Sequence, residues 1–391
     1  MPYLDHAATT PLREEVLDAM LPYLRSEFGN PSSLHGPGRR ARVAVERARG
    51  RVAAVLGAEP AEVVFTSGGT EGDNLALRGV LTGEAGRQTG RPGLVTGATE
   101  HDAVLGTARA LSAEGHPVAI LAPGPGGALD VDAVAQTLTP ETGLVSAMWV
   151  NNETGAVSPL AALADAAHAA GARFHSDAVQ AAGLFDLDVG AQGVDLLTLS
   201  GHKVGGPKGV GALYVRAGTP FGGVQTGGSQ ERRRRGGTEN VAAIVGFAEA
   251  LARADAERAA HADRLAALRD GLLGCLRQRV GGALVVNTPP DAAPHILNVS
   301  FPPREGRPVD GEMLLLGLDL EGVQVSAGSA CSSGALAPSH VLLALGVPRE
   351  TAGATLRISF GRSTTAEDVA AAAAAIGRVV DRVAGTAPVA S

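Results

Sequence analysis

Short apolar runs alternate with helix-like segments over the first two-thirds of the 391-residue chain. The strand-like runs lie at residues 63–66, 94–96, 144–150, 173–175, 196–199 and 211–215. Helical patterns at 70–78 and 160–170 separate several of them. This alternation predicts an α/β fold with a mostly parallel sheet. The last two runs lie too close together for a crossover helix, so we expect them to pair antiparallel.

The last third of the chain has a different pattern, which predicts a smaller α+β domain. Its helical and strand-like segments lie at residues 241–280, 297–301, 312–318, 356–360 and 369–376. Thr364 and Glu367 have the spacing of a capping box at the start of the final helix.

We expect two domains from this organisation, because a chain of 391 residues is long enough for two or three separate cores. The large domain would span residues 14–257, and the small domain would combine residues 1–13 with residues 258–391. A loop of small residues at about 326–337 would belong to the small domain.

The composition excludes several classes of protein. Two cysteines are too few for a disulfide-stapled secreted fold, a zinc ribbon or an Fe–S ligand set. A formal net charge of −7 argues against a nucleic-acid partner, which requires a basic face. The sequence shows neither a run of roughly 18–20 apolar residues nor a signal-peptide pattern, so we expect a cytoplasmic protein without a membrane partner.

Lysine is scarce, and the chain has only Lys203 and Lys208. Lys203 follows the strand-like run 196–199 within the sequence Ser-Gly-His-Lys. A lysine at a strand end can be desolvated, which lowers its pKa and makes it a Schiff-base nucleophile. The alternative is a surface lysine, and a composition bias alone would explain the scarcity. Lys208 lies in a Gly/Pro turn, where we expect it to be solvated.

Two turns that follow strands carry candidate ligand-binding residues. Residues 66–71 read Thr-Ser-Gly-Gly-Thr-Glu before a helix, where backbone N–H groups and the helix dipole favour a single phosphate group. An ordinary glycine-rich turn is the alternative. Asp177 follows the run 173–175, with Gln180 three residues on, where α/β enzymes present side chains to ligands. An aspartate that caps a helix explains the same pattern.

The two cysteines differ in their surroundings. Cys331 lies in Ser-Ala-Cys-Ser-Ser-Gly, a polar stretch without a helix or strand pattern, where a thiol is accessible and reactive. Cys275 shares one face of a helix with Leu268 and Leu272, which indicates core packing.

Arginines and histidines supply further candidates. Arg357 lies in a strand-like run, either as a clamp for a carboxylate or as a solvent-facing residue. The four arginines at 232–235 either face an anionic group or form a solvated surface. His101 has the position of an ordinary helix-start histidine. The ten histidines show no metal-binding spacing, so no metal site is expected.

Taken together, these segments resemble the cysteine desulfurases of the NifS/IscS type, which belong to the class V aminotransferase-like enzymes that use pyridoxal 5′-phosphate (PLP). The resemblance runs from Tyr-Leu-Asp-His-Ala-Ala-Thr-Thr-Pro at 3–11 to the segment 356–362. It implies fold type I, with a mostly parallel seven-stranded sheet in the large domain and a smaller α+β domain. One departure is Gly72, where relatives often have serine.

The resemblance implies a role for each candidate. Lys203 would bind the cofactor covalently and move the substrate Cα proton, and the Cys331 thiolate would take the substrate sulfur as a persulfide. His101 would stack on the cofactor ring and take part in catalysis. The other cofactor contacts would be Gly69, Thr70, Asn152, Asp177, Gln180, Ser200, His202 and, from the second subunit, Thr238. Asn152 and Arg357 would bind the substrate carboxylate.

The implied activity is the conversion of L-cysteine to L-alanine by a homodimer, which passes sulfur to an acceptor protein such as an Fe–S scaffold. The sulfur would serve Fe–S cluster, thio-cofactor or tRNA biosynthesis. The nearest alternatives are a selenocysteine lyase and a transaminase of the same fold, and transamination needs no mobile thiol such as Cys331. A binding protein that has lost activity is disfavoured, because Lys203, Asp177, His101 and Cys331 are all present.

Overall fold

The computed structural model of the chain describes residues 1–304, 306–327 and 337–385. In these ranges the helices are α1 (Glu14–Arg25), α2 (Gly36–Leu56), α3 (Gly69–Leu81), α4 (Glu84–Arg87), α5 (Asp102–Ala113), α6 (Val131–Thr137), α7 (Leu160–Ala169), α8 (Val241–Val280), α9 (Gly311–Leu320), α10 (His340–Ala344), α11 (Arg349–Gly353) and α12 (Ala366–Gly385). The strands are β1 (Val63–Thr66), β2 (Gly93–Gly97), β3 (Val118–Leu121), β4 (Thr142–Ser146), β5 (Arg173–Asp177), β6 (Leu196–Ser200), β7 (Gly211–Val215), β8 (Val285–Val286), β9 (Ile296–Ser300) and β10 (Thr355–Ser359).

The larger sheet has seven strands in the order β1-β7-β6-β5-β4-β2-β3. Five neighbouring strands, from β6 to β3, run parallel. β7 pairs antiparallel with both β6 and β1. The mostly parallel α/β fold is therefore confirmed, and so is the antiparallel pairing of the last two predicted runs.

The parallel strands carry nearly continuous apolar runs because helices cover both faces of such a sheet. Every residue of β2, β4 and β6 is buried. The strand predicted at 144–150 ends earlier, at Ser146. Beyond it the backbone leaves strand geometry while staying buried, and Trp149 N–H still donates to the carbonyl oxygen of Asp177 at 2.9 Å.

A second, three-stranded antiparallel sheet has the order β10-β9-β8. Its core includes Leu297 and Ile358 and is separate from the core of the larger sheet. The helix α8 is 40 residues long and contributes to both cores, with Phe247 in one and Leu272 in the other. The domain boundary expected after residue 257 lies within α8 and stays a prediction.

The capping box of the last helix is displaced by one residue from the predicted pair. Thr365 and Asp368 exchange hydrogen bonds at 2.9–3.2 Å, whereas Thr364 and Glu367 were expected to do so. Thr364 instead accepts a hydrogen bond from Gly361 N–H at 2.9 Å. In the part of the chain that the structure describes, no helix combines the length and apolar character needed to cross a membrane.

The N-terminal segment connects the two sheets. Leu4 N–H donates to the carbonyl oxygen of Gln324 at 2.8 Å, and Ser359 N–H of β10 donates to the carbonyl oxygen of Leu4 at 2.7 Å. A few residues later, Thr10 N–H donates to the carbonyl oxygen of His202, just after β6. The first ten residues therefore lie between the small sheet and the turn that carries Lys203.

A buried ion pair connects the loop that carries the four arginines at 232–235 to the larger sheet. Arg49 of α2 and Glu231 are each 3% exposed at the side chain, and two N–O contacts of 2.8 Å join them. Glu231 also accepts from Phe65 N–H of β1 at 2.9 Å. Glu231, Arg232 and Arg233 all have positive φ angles, a conformation that favours glycine, so the contacts to Glu231 hold a strained turn.

We predict that Arg49→Met lowers the free energy of unfolding by about 3–5 kcal/mol, because it leaves the Glu231 carboxylate buried without a cation. Equilibrium urea denaturation measures the change. Arg51→Met is the matched control, since Arg51 is 58% exposed at the side chain and its pair with Glu249 is open to water. That control should cost about 0–1 kcal/mol. An equal loss of unfolding free energy in the two variants would contradict a special contribution of the buried Arg49–Glu231 pair to stability.

Candidate active site

A cavity of about 740 Å³ lies where β5, β6, the start of α3 and the edge of β10 meet. Most of the site residues expected from the sequence line it, namely Gly69, Thr70, His101, Asn152, Asp177, Gln180, Ser200, His202, Lys203 and Arg357. Thr238 is exposed and is not among the described residues that line this cavity. Cys331 lies outside the described residues.

Lys203 ends the short 3₁₀ turn that follows β6. Its Nζ donates to the carbonyl oxygens of Ala7 and, at 3.0 Å, Ala8. Burial is the main cause that lowers the pKa of Lys203 to about 8, and the positive charge of Arg357 adds to the effect. The amine is therefore far easier to deprotonate than a solvated lysine, as its place at a strand end predicts. Lys208 is exposed, as expected.

Asp177 is the last residue of β5 and is buried. Its Oδ1 accepts a hydrogen bond from Val179 N–H at 2.9 Å, so it stabilises the following turn as a capping aspartate would. Burial raises its pKa, while this N–H and the charge of Lys203 oppose the shift. A cationic group placed in the cavity beside Asp177 would favour the carboxylate form.

The start of α3, with Gly69 and Thr70, also lines the cavity, and free backbone N–H groups at a helix N-terminus suit an anion. Gly68 has φ +153°, and a Cβ on Gly69 would lie only 2.8 Å from Val179 Cγ2. The two glycines therefore let the helix N-terminus approach the cavity without a steric clash. Ser200 and His202 line the same cavity, and His202 Nδ1 lies 3.1 Å from Thr9 Oγ1. Burial lowers the pKa of His202 to about 4, so its imidazole is neutral.

His101 both caps a helix, as its position in the sequence predicts, and lines the cavity. Its Nδ1 accepts a hydrogen bond from Ala103 N–H at 3.1 Å, so the side chain caps α5. The same imidazole lines the cavity. Since Nδ1 accepts, the ring proton of the neutral form lies on Nε2.

Arg357 is 5% exposed, so the interpretation as a solvent-facing strand residue is wrong. Its Nη2 donates to Asp5 Oδ1 at 2.9 Å, and its Nη1 donates to the carbonyl oxygen of Asn152 at 3.0 Å. Its Nε is buried without a hydrogen-bond partner among the described residues. The guanidinium is thus held on two sides and keeps donor capacity for a ligand carboxylate.

Sequence reasoning missed two acidic residues of this site. Asp5 lines the cavity and pairs with Arg357. Asp73 also lines the cavity, and burial followed by the nearby charge of Asp177 raises its pKa. Asp73 lies three residues after Thr70 on α3, one helical turn along the same face. This spacing from a predicted phosphate-site residue is the sequence signal that could have identified Asp73 as a site residue.

The donor set fits PLP. A lysine of lowered pKa can form a Schiff base, the α3 N-terminus suits a phosphate group, and the buried Asp177 carboxyl suits a protonated ring nitrogen. The described residues contain no cluster of His, Cys, Asp and Glu that could hold a metal ion.

Comparisons with known proteins agree over nearly the whole chain. A sequence profile of the Aminotransferase class-V family matches residues 2–371. Cysteine desulfurase IscS of Dictyoglomus turgidum is 43% identical over 380 residues, which cover 97% of this chain and 94% of that protein. The solved structure of a NifS-like protein superposes with a TM-score of 0.88 at 34% identity, covering 97% of this chain and 99% of that one. A structure titled SspA in complex with cysteine superposes with a TM-score of 0.80 at 33% identity. The match covers 92% of this chain and 99% of that one.

We predict that the cofactor-free protein binds PLP covalently at a rate that rises with pH around 8, because only the unprotonated Lys203 amine is a nucleophile. Growth of the visible absorption band after addition of PLP measures the rate. Lys208→Ala should behave like the wild type, whereas Lys203→Ala should form no such band. A midpoint near 10.5, the ordinary lysine value, would contradict the effect of burial.

Proposed function

The chain belongs to the class-V aminotransferase family and is a PLP-dependent cysteine desulfurase; we propose that the cavity around Lys203 is its active site. In this reaction L-cysteine loses its sulfur and leaves as L-alanine. The observation that carries the assignment is the placement of Lys203, Asp177 and Arg357 around one cavity. These groups supply a nucleophilic amine, a buried carboxyl group and a cation for the substrate carboxylate.

Asp177 would hold a proton on the ring nitrogen of the cofactor. When bound, PLP supplies an electron sink that stabilises negative charge at the substrate Cα. The burial that raises the pKa of Asp177 makes a cationic partner favourable, because a buried carboxylate is costly unless it is paired. A charge-assisted hydrogen bond of this kind contributes about 1.5–3 kcal/mol.

Arg357 and Asn152 would bind the substrate carboxylate. Asp5 and the Asn152 carbonyl oxygen hold the guanidinium at 2.9 and 3.0 Å, so little rotational freedom remains to be lost on binding. The guanidinium lines the cavity, and a substrate carboxylate there would be attracted by its positive charge. This geometry would orient the substrate and bring its Cα near Lys203.

Lys203 would remove the Cα proton and later return one. A pKa of about 8 leaves an appreciable fraction of free amine near neutral pH, and the conjugate acid is strong enough to give the proton back. The Ala7 and Ala8 carbonyl oxygens would hold the ammonium form between the two transfers.

Cys331 would take the sulfur. The described residues on either side of it in sequence line the cavity, with Ser326 and Ala327 before it and Ala337 and Pro338 after it. The flank before it is also anchored, since Arg357 N–H donates to the Ser326 carbonyl oxygen at 2.6 Å. These described flanks support the proposal that Cys331 is the sulfur acceptor of this site.

The transfer of sulfur from L-cysteine to Cys331 needs no added oxidant. The Cys331 thiolate attacks the substrate sulfur, the bond between the substrate Cβ and sulfur breaks, and its electron pair stays with the carbon fragment. Protons return to that fragment, one of them from Lys203. The substrate and the enzyme thiol thus give L-alanine and an enzyme persulfide.

The persulfide implies further partners. A sulfur-acceptor protein, such as an Fe–S scaffold, would regenerate the thiol. A homodimer would explain the exposed Thr238, which would reach the phosphate group of the second subunit. The large apolar side chains of Phe28 and Leu34, each 83% exposed, would then lie in a subunit interface. A cytoplasmic location stays a prediction from the sequence.

We predict that Cys331→Ser binds PLP and L-cysteine yet forms no alanine, because a hydroxyl cannot accept sulfur as a persulfide. Chromatography of the amino-acid products measures alanine. In the unmodified protein, mass spectrometry should find one extra sulfur atom on the Cys331 peptide after L-cysteine is added.

Cys275→Ser is the matched control. Cys275 packs against the core of the smaller sheet and is half-buried, so this variant should keep its alanine production. Alanine formation by Cys331→Ser at the wild-type rate would rule out Cys331 as the acceptor.

A further inference from the structure

The amide of Gln180 is bound at both ends by different parts of the chain. Its Nε2 donates to the carbonyl oxygen of Ala7 at 2.8 Å. Its Oε1 lies 3.1 Å from Nε2 of His295, the residue that precedes β9 of the smaller sheet. Both side chains are more than nine-tenths buried, with relative exposures of 8% for Gln180 and 6% for His295. The contact therefore joins the cofactor cavity to the smaller sheet away from water.

His295 can serve only as a hydrogen-bond donor in this contact. Burial lowers the pKa of His295 to about 3, so the imidazole is neutral and carries a single N–H. The nearby titratable groups that lower this pKa further are His6, His261, Lys203 and Arg357. His295 Nδ1 has no hydrogen-bond partner among the described residues, whereas Nε2 lies beside the Gln180 amide oxygen, which can only accept. The ring proton is therefore on Nε2.

The opposite orientation of the Gln180 amide is unfavourable at two points. A flipped amide would place Oε1 against the Ala7 carbonyl oxygen, and its NH₂ group against the N–H of His295. The observed orientation keeps one N–H of Gln180 for Ala7 and leaves the second N–H for an acceptor in the cavity that Gln180 lines.

We propose that His295 is a positioning residue for the cofactor: it fixes the Gln180 amide so that its free N–H donates to the ring oxygen of PLP. This inference rests on the proposed PLP site. A donated hydrogen bond stabilises the deprotonated, negatively charged oxygen and so keeps the pKa of the bound cofactor low. Loss of the His295 donor lets the amide flip or rotate, and the cofactor pKa should rise.

The test is a pH titration of the visible absorption band of the holoenzyme without substrate. His295→Phe, which keeps a flat buried ring without the donor, should raise the midpoint by about half to one pH unit, the equivalent of one ordinary hydrogen bond. His295→Gln restores an N–H donor and should return most of the shift. Gln180→Leu should raise the midpoint by a similar amount, and adding His295→Phe to Gln180→Leu should change nothing more.

His6→Phe is the matched control. His6 is also a buried imidazole, and it lines a second cavity that Lys203 borders as well. Its removal should leave the midpoint unchanged.

A wild-type midpoint in His295→Phe, or a full additional shift on top of Gln180→Leu, would overturn the proposal. If His295→Phe fails to fold, a raised midpoint in His295→Gln would overturn it as well. Absence of a visible band in the wild type would instead overturn the PLP site itself, so the two failures are distinguishable.

Discussion

The removal of the Lys203 ammonium from water is the constraint on which the rest of the site depends. The enclosure that lowers its pKa to about 8 comes partly from the N-terminal segment, whose Ala7 and Ala8 carbonyl oxygens accept from Nζ. That segment is held in turn by the smaller sheet through Leu4 and by the turn after β6 through Thr10. The lowered pKa of Lys203 therefore depends on contacts with both sheets.

The same segment sets the charge balance of the cavity. Asp5 pairs with Arg357 of the smaller sheet, so the cation that would bind substrate is oriented by the chain that also covers the lysine. Asp73 and Asp177 line the same cavity, and burial is the main cause that raises their pKa values. Between these groups a dipolar ligand finds a cation for its carboxylate and an acid for a basic nitrogen. PLP together with an amino-acid substrate has both groups, a basic ring nitrogen and a carboxylate.

Much of this arrangement was predictable because strands and turns leave local signals. The apolar runs predicted the parallel sheet, and Asp177 lies at a strand end as its sequence position indicates. The edge strand β3 was missed because only four residues form it and its burial is incomplete. The sequence did not show whether the Arg357 side chain faces solvent or the protein interior. Every residue of β10 is buried, so the strand lacks the alternation of polar and apolar residues that would identify its exposed face. Contacts between segments far apart in the chain, such as those of Asp5 and His295, leave no pattern in local sequence, so only the folded chain reveals them.

A cysteine desulfurase moves sulfur from L-cysteine to a protein thiol and releases the carbon fragment as L-alanine, and we propose that this chain does so in the cavity around Lys203. Incubation of the purified holoenzyme with L-cysteine and a thiol reductant tests it directly, because the reductant frees the persulfide sulfur as sulfide. We expect alanine and sulfide in equal amounts over successive turnovers. Sulfide accompanied by pyruvate and ammonia instead of alanine would contradict it.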